Sequence, residues 1–120
     1  MAKVLVVDDE FSIADLLVDV LSDEGHNVLT ASDGRQGLEA LSKERPDLVF
    51  LDYMMPVMDG AGLLRGVADD PSLQSIPIVM MSSVPEEAVI ERCAGYVFFM
   101  RKPFRILEVL ALAELFLTKR

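Results

Sequence analysis

With 120 residues, 52% of them apolar and 26% charged, the chain is long enough to bury one core, too short for two and too apolar for disorder. A formal net charge of -9, with no stripe of Lys and Arg, argues against a nucleic-acid partner, and no apolar run nears the roughly 18 residues of a membrane span. Lys3 is followed by only four apolar residues before Asp8, too few for a signal peptide, and a single cysteine, Cys93, excludes an intrachain disulfide, so the expected setting is the cytoplasm with no membrane partner.

The first apolar run, residues 4–7, has strand size and ends in Asp8, Asp9 and Glu10. Ile13, Leu16, Leu17, Val20 and Leu21 then recur at i, i+3, i+4, i+7 and i+8, the stripe of a helix with one buried face. Ser12 with Asp15 forms a variant capping pattern at its start, and Gly25 is placed to end it. A second run, 28–31, precedes a helix that follows Asp33, turns Leu38 and Leu41 inward and stops at Pro46. The third run, 48–51, leads into Asp52. A third helix then starts near Asp59, a suitable N-cap, carries Leu63, Leu64 and Val67, and closes at Pro71.

The fourth run, 78–81, leads into Ser82 and Ser83. The helix after it is the weakest: Pro85 suits a first helical position, Glu86 and Glu87 suit the positive end of the dipole, and Val89, Ile90 and Cys93 give a short apolar face. The fifth run, 97–100, leads to Lys102, and a last helix spans about 105–117. Most runs are continuous rather than alternating, as strands read when both faces of a parallel sheet are covered. Five strands alternating with five helices make a doubly wound α/β domain, and right-handed crossovers point to strand order 2-1-3-4-5. No repeat, linker or low-complexity segment divides the chain, so 1–120 is read as one domain.

In an open parallel sheet, ligands bind beyond the carboxyl ends of the strands where the strand order switches, here beside the first and third strands. Asp8, Asp9, Glu10 and Asp52 converge there. Crowded carboxylates repel one another, and a cation relieves the repulsion. An all-oxygen donor set suits Mg²⁺, which keeps some of its waters and accepts a phosphate oxygen; Asp9 and Asp52 are the expected direct ligands. A carboxylate can also attack phosphorus to form an acyl phosphate. Such a transfer needs in-line positioning and charge neutralisation, and Lys102 with the Ser82 hydroxyl supplies both.

Each residue has a plainer reading. Asp8 and Asp9 alone would be a strand end or a helix cap, Lys102 a solvated tether, and Ser82 a turn residue, with Ser83 leaving the register open by one. Asp59 reads as a helix cap rather than a ligand, Cys93 as a core or half-buried thiol, and His26 has no assigned role. The functional reading outweighs these because acid, hydroxyl and amine fall at the ends of four different strands.

The motifs are Val6-Val7-Asp8-Asp9-Glu10, then Pro46-Asp47-Leu48-Val49-Phe50-Leu51-Asp52-Tyr53-Met54-Met55-Pro56 with Met58-Asp59-Gly60, then Ser82, and finally Lys102-Pro103-Phe104. Across essentially its whole length the sequence resembles the receiver domains of bacterial response regulators, which have the flavodoxin-like fold. The resemblance implies that Asp52 takes a phosphoryl group from a phosphohistidine on a sensor histidine kinase or histidine phosphotransfer protein. It implies that Asp9 binds Mg²⁺ directly, Asp8 through water, and the backbone carbonyl of Met54 as a further ligand. Ser82 would move to hydrogen-bond the phosphoryl group, Lys102 would pair with its charge, and the Lys102–Pro103 peptide would be cis. The domain would be a switch acting on a downstream protein partner, not a metabolic enzyme.

Phe99 stands where receivers carry a Tyr or Phe rotamer switch, and it lacks a hydroxyl. From Ser82 to Lys102 the chain is about two residues shorter than the usual spacing, so the fourth helix is expected to be short or displaced. The last helix is apolar around most of its circumference, through Ile106, Leu107, Val109, Leu110, Leu112, Leu115, Phe116 and Leu117. Beside Val97, Phe98 and Met100 this predicts an exposed apolar patch, covered by a partner or by a second copy in a homodimer through the fourth helix, fifth strand and fifth helix. Met54 and Val84 border the path of attacking water and are apolar, which predicts a persistent aspartyl phosphate. The rivals are a receiver-like interaction module that works without phosphorylation, and a metal-dependent hydrolase with an Asp nucleophile. The hydrolase lacks any insertion long enough for a substrate cap, and flavin is disfavoured because the acidic edge repels its phosphate.

Overall fold

Strand and helix alternate along the chain in the computed structural model, which describes residues 2–117. The elements are β1 (Lys3–Val7), α1 (Phe11–Asp23), β2 (Asn27–Ala31), α2 (Gly34–Glu44), β3 (Leu48–Asp52), α3 (Gly60–Ala68), a 3-10 turn (Pro71–Leu73), β4 (Ile78–Ser82), α4 (Glu86–Ile90), β5 (Phe98–Arg101) and α5 (Ile106–Leu117). All strand pairs are parallel, in the order β2-β1-β3-β4-β5, as the sequence predicted. Residue 1 and residues 118–120 of the expected domain lie outside the described span.

Side chains alternate across a strand, and the alternation sorts this core into two layers. Leu5, Val7, Val49, Leu51 and Met80 point to one face, where Leu41 of α2, Leu63 and Val67 of α3 and Val89 of α4 cover them. Val4, Val6, Leu48, Phe50, Val79 and Met81 point to the other, under Leu17 and Leu21 of α1 and Val109 and Leu112 of α5. With both faces covered, β3 and β4 are buried at every position, which is why their sequences read as unbroken apolar runs.

Several local expectations need correction. The α1 helix starts at Phe11 with Glu10 as its N-cap, because Ile13 N–H and Ala14 N–H both donate to the Glu10 carbonyl, at 3.1 Å each; Ser12 is therefore inside the helix. Its buried face runs through Ala14, Leu17 and Leu21, and Leu16 is left exposed. The β5 strand begins at Phe98 rather than 97, with Val97 N–H still bonded to the Ile78 carbonyl at 2.8 Å. Pro85 is the N-cap of α4, one place outside the helix, and Ile90 is exposed while Val89 and Cys93 supply the buried contact. Met100 is buried against the α1/α5 layer, so it does not belong to the apolar surface patch; Val97, Phe98, Ile106, Leu107 and Leu115 are exposed as expected.

The shortened spacing after Ser82 has the anticipated effect, since α4 has only five residues and 91–97 continues without regular structure. The loop from Asp52 to α3 is held more firmly. Gly60 N–H donates to the Tyr53 carbonyl and Gly34 N–H to the Met58 carbonyl, both at 2.8 Å. A Cβ on Gly34 would collide with that Met58 carbonyl, so only glycine lets α2 approach the loop this closely.

Within the same loop Val57 has φ +69°, a left-handed conformation that a β-branched residue adopts only under strain, and its side chain is 76% exposed. The strain costs about 1–2 kcal/mol, the entropy of an unfolded glycine offsets about half of the relief, and little burial is lost on truncation. Val57→Gly is therefore expected to raise stability by roughly 0.5–1 kcal/mol, read as a higher urea midpoint than wild type. An unchanged or lower midpoint would show that the left-handed residue carries no strain.

Candidate functional site

The carboxyl ends of the strands gather the chemistry, each residue placed by the strand before it. Asp8 leaves β1 with its N–H bonded to the Ala31 carbonyl at 3.0 Å, and Asp52 is the last residue of β3. Ser82 is the last residue of β4, and its carbonyl accepts from Lys102 N–H at 2.8 Å, which fixes the start of the turn after β5. Lys102 joins Pro103 through a cis peptide. Among the described residues, Asp8, Asp52 and Ser82 are the buried polar ones, each at 5% exposure or less.

The Lys102 ammonium lies among three carboxylates: Nζ is 3.0 Å from Asp8 Oδ2, 3.0 Å from Glu10 Oε1 and 3.1 Å from Asp52 Oδ1. Beside it opens a cavity of about 190 Å³ lined by Asp9, Glu10, Asp52, Met54, Ser82, Ser83 and Lys102. Six of the expected residues thus meet in one place, with Asp8 buried behind the lysine. Ser82 is buried and its Oγ accepts from Val84 N–H at 3.0 Å, whereas Ser83 is exposed. Phe99 stands apart on β5, half-buried, with its ring 6.4 Å from that of Tyr96. Asp59 caps α3 by accepting from Gly62 N–H at 2.9 Å, in line with its plainer reading.

Glu10 is the residue whose part was missed. It was legible only as the third member of an acidic run, and its bond to Lys102 depends on how α1 starts. Carboxylate oxygens of Asp8, Glu10 and Asp52 lie within 4.8 Å of one another, and exposed Asp9 lines the cavity outside that trio.

Burial dominates the electrostatics. It pushes the Asp52 carboxyl up to about 6, with the charges of Asp8 and Asp9 adding to the rise and Lys102 opposing it. Asp8 is raised as well, by burial first, against hydrogen bonds from Glu10 N–H and Lys102. For Lys102 burial favours the neutral amine, but hydrogen bonds to Glu10 and Asp8 and the charge of Asp52 outweigh it and hold the amine above the ordinary lysine value. One ammonium therefore leaves negative charge uncompensated in a partly buried, all-oxygen donor set. Such a set fits a hard divalent cation, with Mg²⁺ the ion whose open positions suit a phosphoryl oxygen.

A carboxyl whose folded pKa lies above its unfolded value binds its proton more tightly when folded. The stability it lends is present below about pH 4 and lost as pH rises through about 6, the value to which Asp52 is pushed. Asp52→Asn is accordingly expected to be more stable than wild type at pH 8, with the advantage shrinking below pH 6. Thermal melts across that range check it, and a gain that persists undiminished at pH 4 would contradict the burial of this charge.

Comparison with known proteins agrees with this geometry. Residues 4–114 match the response regulator receiver domain family. MtrA of Mycobacterium tuberculosis strain H37Rv, named a DNA-binding response regulator, is 37% identical over 111 residues, covering 91% of this chain and 47% of MtrA. PhoP of Bacillus subtilis, an alkaline phosphatase synthesis transcriptional regulatory protein, is 39% identical over 109 residues, covering 89% and 45%. The solved structure of the chemotaxis response regulator CheY4 of Vibrio cholerae superposes with a TM-score of 0.88 at 34% identity, covering 98% of this chain and 99% of CheY4. The chain thus spans about half the length of MtrA and PhoP.

These relatives overturn the expectation of no nucleic-acid partner. MtrA, which matches this chain over 111 residues, is named as DNA-binding, so a net charge of -9 on 120 residues does not exclude such a partner. Among the described residues no helix is long and apolar enough to cross a membrane. Fold, site and likeness converge on one statement: the chain belongs to the response regulator receiver domain family.

Proposed function

We propose that this domain is the phosphoacceptor of a two-component relay, taking a phosphoryl group from a phosphohistidine onto Asp52. The observation that carries the reading is the Lys102 ammonium held 3.1 Å from the buried Asp52 carboxylate at the edge of an acidic cavity. An ionised Asp52 oxygen attacks phosphorus, the P–N bond of the donor breaks, and the imidazole leaves with the electron pair. Lys102 pairs with a phosphoryl oxygen. The Ser82 hydroxyl, now accepting from Val84 N–H, turns to donate to another. Asp9, Asp52 and the Met54 carbonyl would hold Mg²⁺, with Asp8 reaching it through water. Bound there, the ion would neutralise charge on the transferring group.

Phosphorylation acts as a switch only if the phosphoryl group makes contacts in one conformation that it lacks in the other. Ser82 and Phe99 are the residues proposed to move, with α4 following. The names of MtrA and PhoP support an output that ends at nucleic acid. A rival reading, an interaction module that works without phosphorylation, is favoured by the five-residue α4 alone.

Acetyl phosphate with Mg²⁺ separates the two. Intact mass is expected to show one added phosphoryl group, absent in Asp52→Asn and formed roughly 100-fold more slowly in Lys102→Ala. A wild-type protein that gains no mass, or an Asp52→Asn variant that still does, would sink the phosphoacceptor reading. Exposed Met54 and half-buried Val84 offer no group to orient a hydrolytic water. The phosphoryl group is thus expected to persist for minutes or longer after the donor is removed, and loss within seconds would contradict this.

A further inference from the structure

The Lys102 ammonium donates hydrogen bonds to Asp8 and Glu10, each at 3.0 Å, and pairs with Asp52 at 3.1 Å, so three carboxylates enclose it. A phosphoryl oxygen that approaches this amine competes with those three partners. The three are not equivalent, because the side chains of Asp8 and Asp52 are 0% and 8% exposed and that of Glu10 is 58% exposed. Releasing either buried carboxylate leaves a charge that only a bound cation could then compensate, whereas water solvates Glu10 as soon as it turns outward. Glu10 also lines the cavity, and as N-cap of α1 its side chain makes no capping hydrogen bond that would restrain it.

We infer that Glu10 is the partner Lys102 gives up when the phosphoryl group arrives, a positioning residue that holds the amine at the cavity edge and then competes with the phosphoryl group for it. This rests on the phosphoacceptor reading and extends it by assigning a role to the exposed member of the acidic run. Glu10 stands in for the incoming anion: it keeps one donor of Lys102 aimed toward the cavity in the resting protein. For the same reason it favours the unphosphorylated state, because each return of Lys102 to Glu10 takes a hydrogen bond from the phosphoryl group.

Two variants separate this competition from plain repulsion of anions. Glu10→Gln removes the charge at nearly constant size, and Glu10→Asp keeps the charge but draws the carboxylate back from Lys102 by one methylene. Two measurements are made on each. The first is the side-chain ammonium resonance of Lys102 by NMR, tractable because Lys3, Lys43 and Lys119 are the other lysines of the chain. The second is the phosphorylated fraction at a fixed, sub-saturating acetyl phosphate concentration with Mg²⁺, read by intact mass.

Both variants are expected to weaken the Lys102 resonance through faster solvent exchange, and both to raise the phosphorylated fraction by about two- to fivefold, the scale of removing one exposed ionic competitor. Wild-type behaviour of both variants in both measurements would overturn the inference. So would a rise confined to Glu10→Gln, since a charge that still repels anions but no longer reaches the amine would then act like the native residue. If no form of the protein takes up a phosphoryl group, the phosphoacceptor reading fails by itself. In that case the resonance still decides whether Glu10 holds Lys102, and an unaltered signal in both variants overturns that as well.

Discussion

A single ammonium group holds together the end of this molecule where the chemistry lies. Lys102 reaches back from the turn after β5 to carboxylates at the ends of β1 and β3, joining parts of the chain more than 90 residues apart for Asp8 and Glu10. Without it, buried Asp8 and Asp52 would face each other with no compensating charge, at a cost of several kcal/mol for each ion removed from water. With it, the carboxylates still carry more negative charge than one lysine cancels, and burial still raises the carboxyl pKa values of both Asp8 and Asp52. That residual imbalance is what makes the place receptive to a cation and a phosphoryl group. It is also why a functional site here lowers stability at neutral pH, as sites held ready for an absent charge commonly do.

The topology makes such a concentration of charge feasible. Parallel strands all end on one edge, so residues at or just past the ends of β1, β3, β4 and β5 become neighbours although these strands are far apart in sequence. The switch in order between β2-β1 and β3-β4-β5 sends the helices to opposite faces and leaves an open crevice at that edge. The two core layers supply rigidity beneath it, with every residue of β3 and β4 buried. Side chains at the ends of such strands are held by the sheet, while the loops that follow remain free to adjust.

That freedom is unevenly distributed. The loop after Asp52 is tied to α2 through Gly34 and folded back by Gly60, and Arg92 approaches it from the far side, with Nη1 3.3 Å from the Tyr53 hydroxyl. The stretch between β4 and β5 has less regular structure: a five-residue helix, the buried side chains of Val89 and Cys93, and side-chain hydrogen bonds such as those from Tyr96 to Glu86 at 2.8 Å and from Arg92 to Tyr53 at 3.3 Å. Few buried contacts and little regular hydrogen bonding mark the part of a domain that rearranges at lowest cost. It lies between Ser82 and Phe99, the two residues proposed to move.

Local periodicity and chain punctuation determined much of this protein before any coordinates. Continuous apolar runs announce strands covered on both faces, Asp33 and Asp59 announce helix caps, and the shortened interval between Ser82 and Lys102 announces a curtailed α4. These signals are legible because they act over a few residues. The start of α1 was misjudged because Glu10 caps the helix through its backbone carbonyl alone, with no side-chain capping bond, and no rule of local spacing anticipates that. Charge counting over the chain misjudged the nucleic-acid question, since net charge describes this stretch and not what it works with. The partners of Lys102 belonged to tertiary structure alone: three carboxylates compete for one amine only after β1, β3 and β5 are laid side by side. Sequence determined which chemical groups stand at the strand ends; packing decided which of them touch, how far each is from water, and hence which bond is the easiest to exchange.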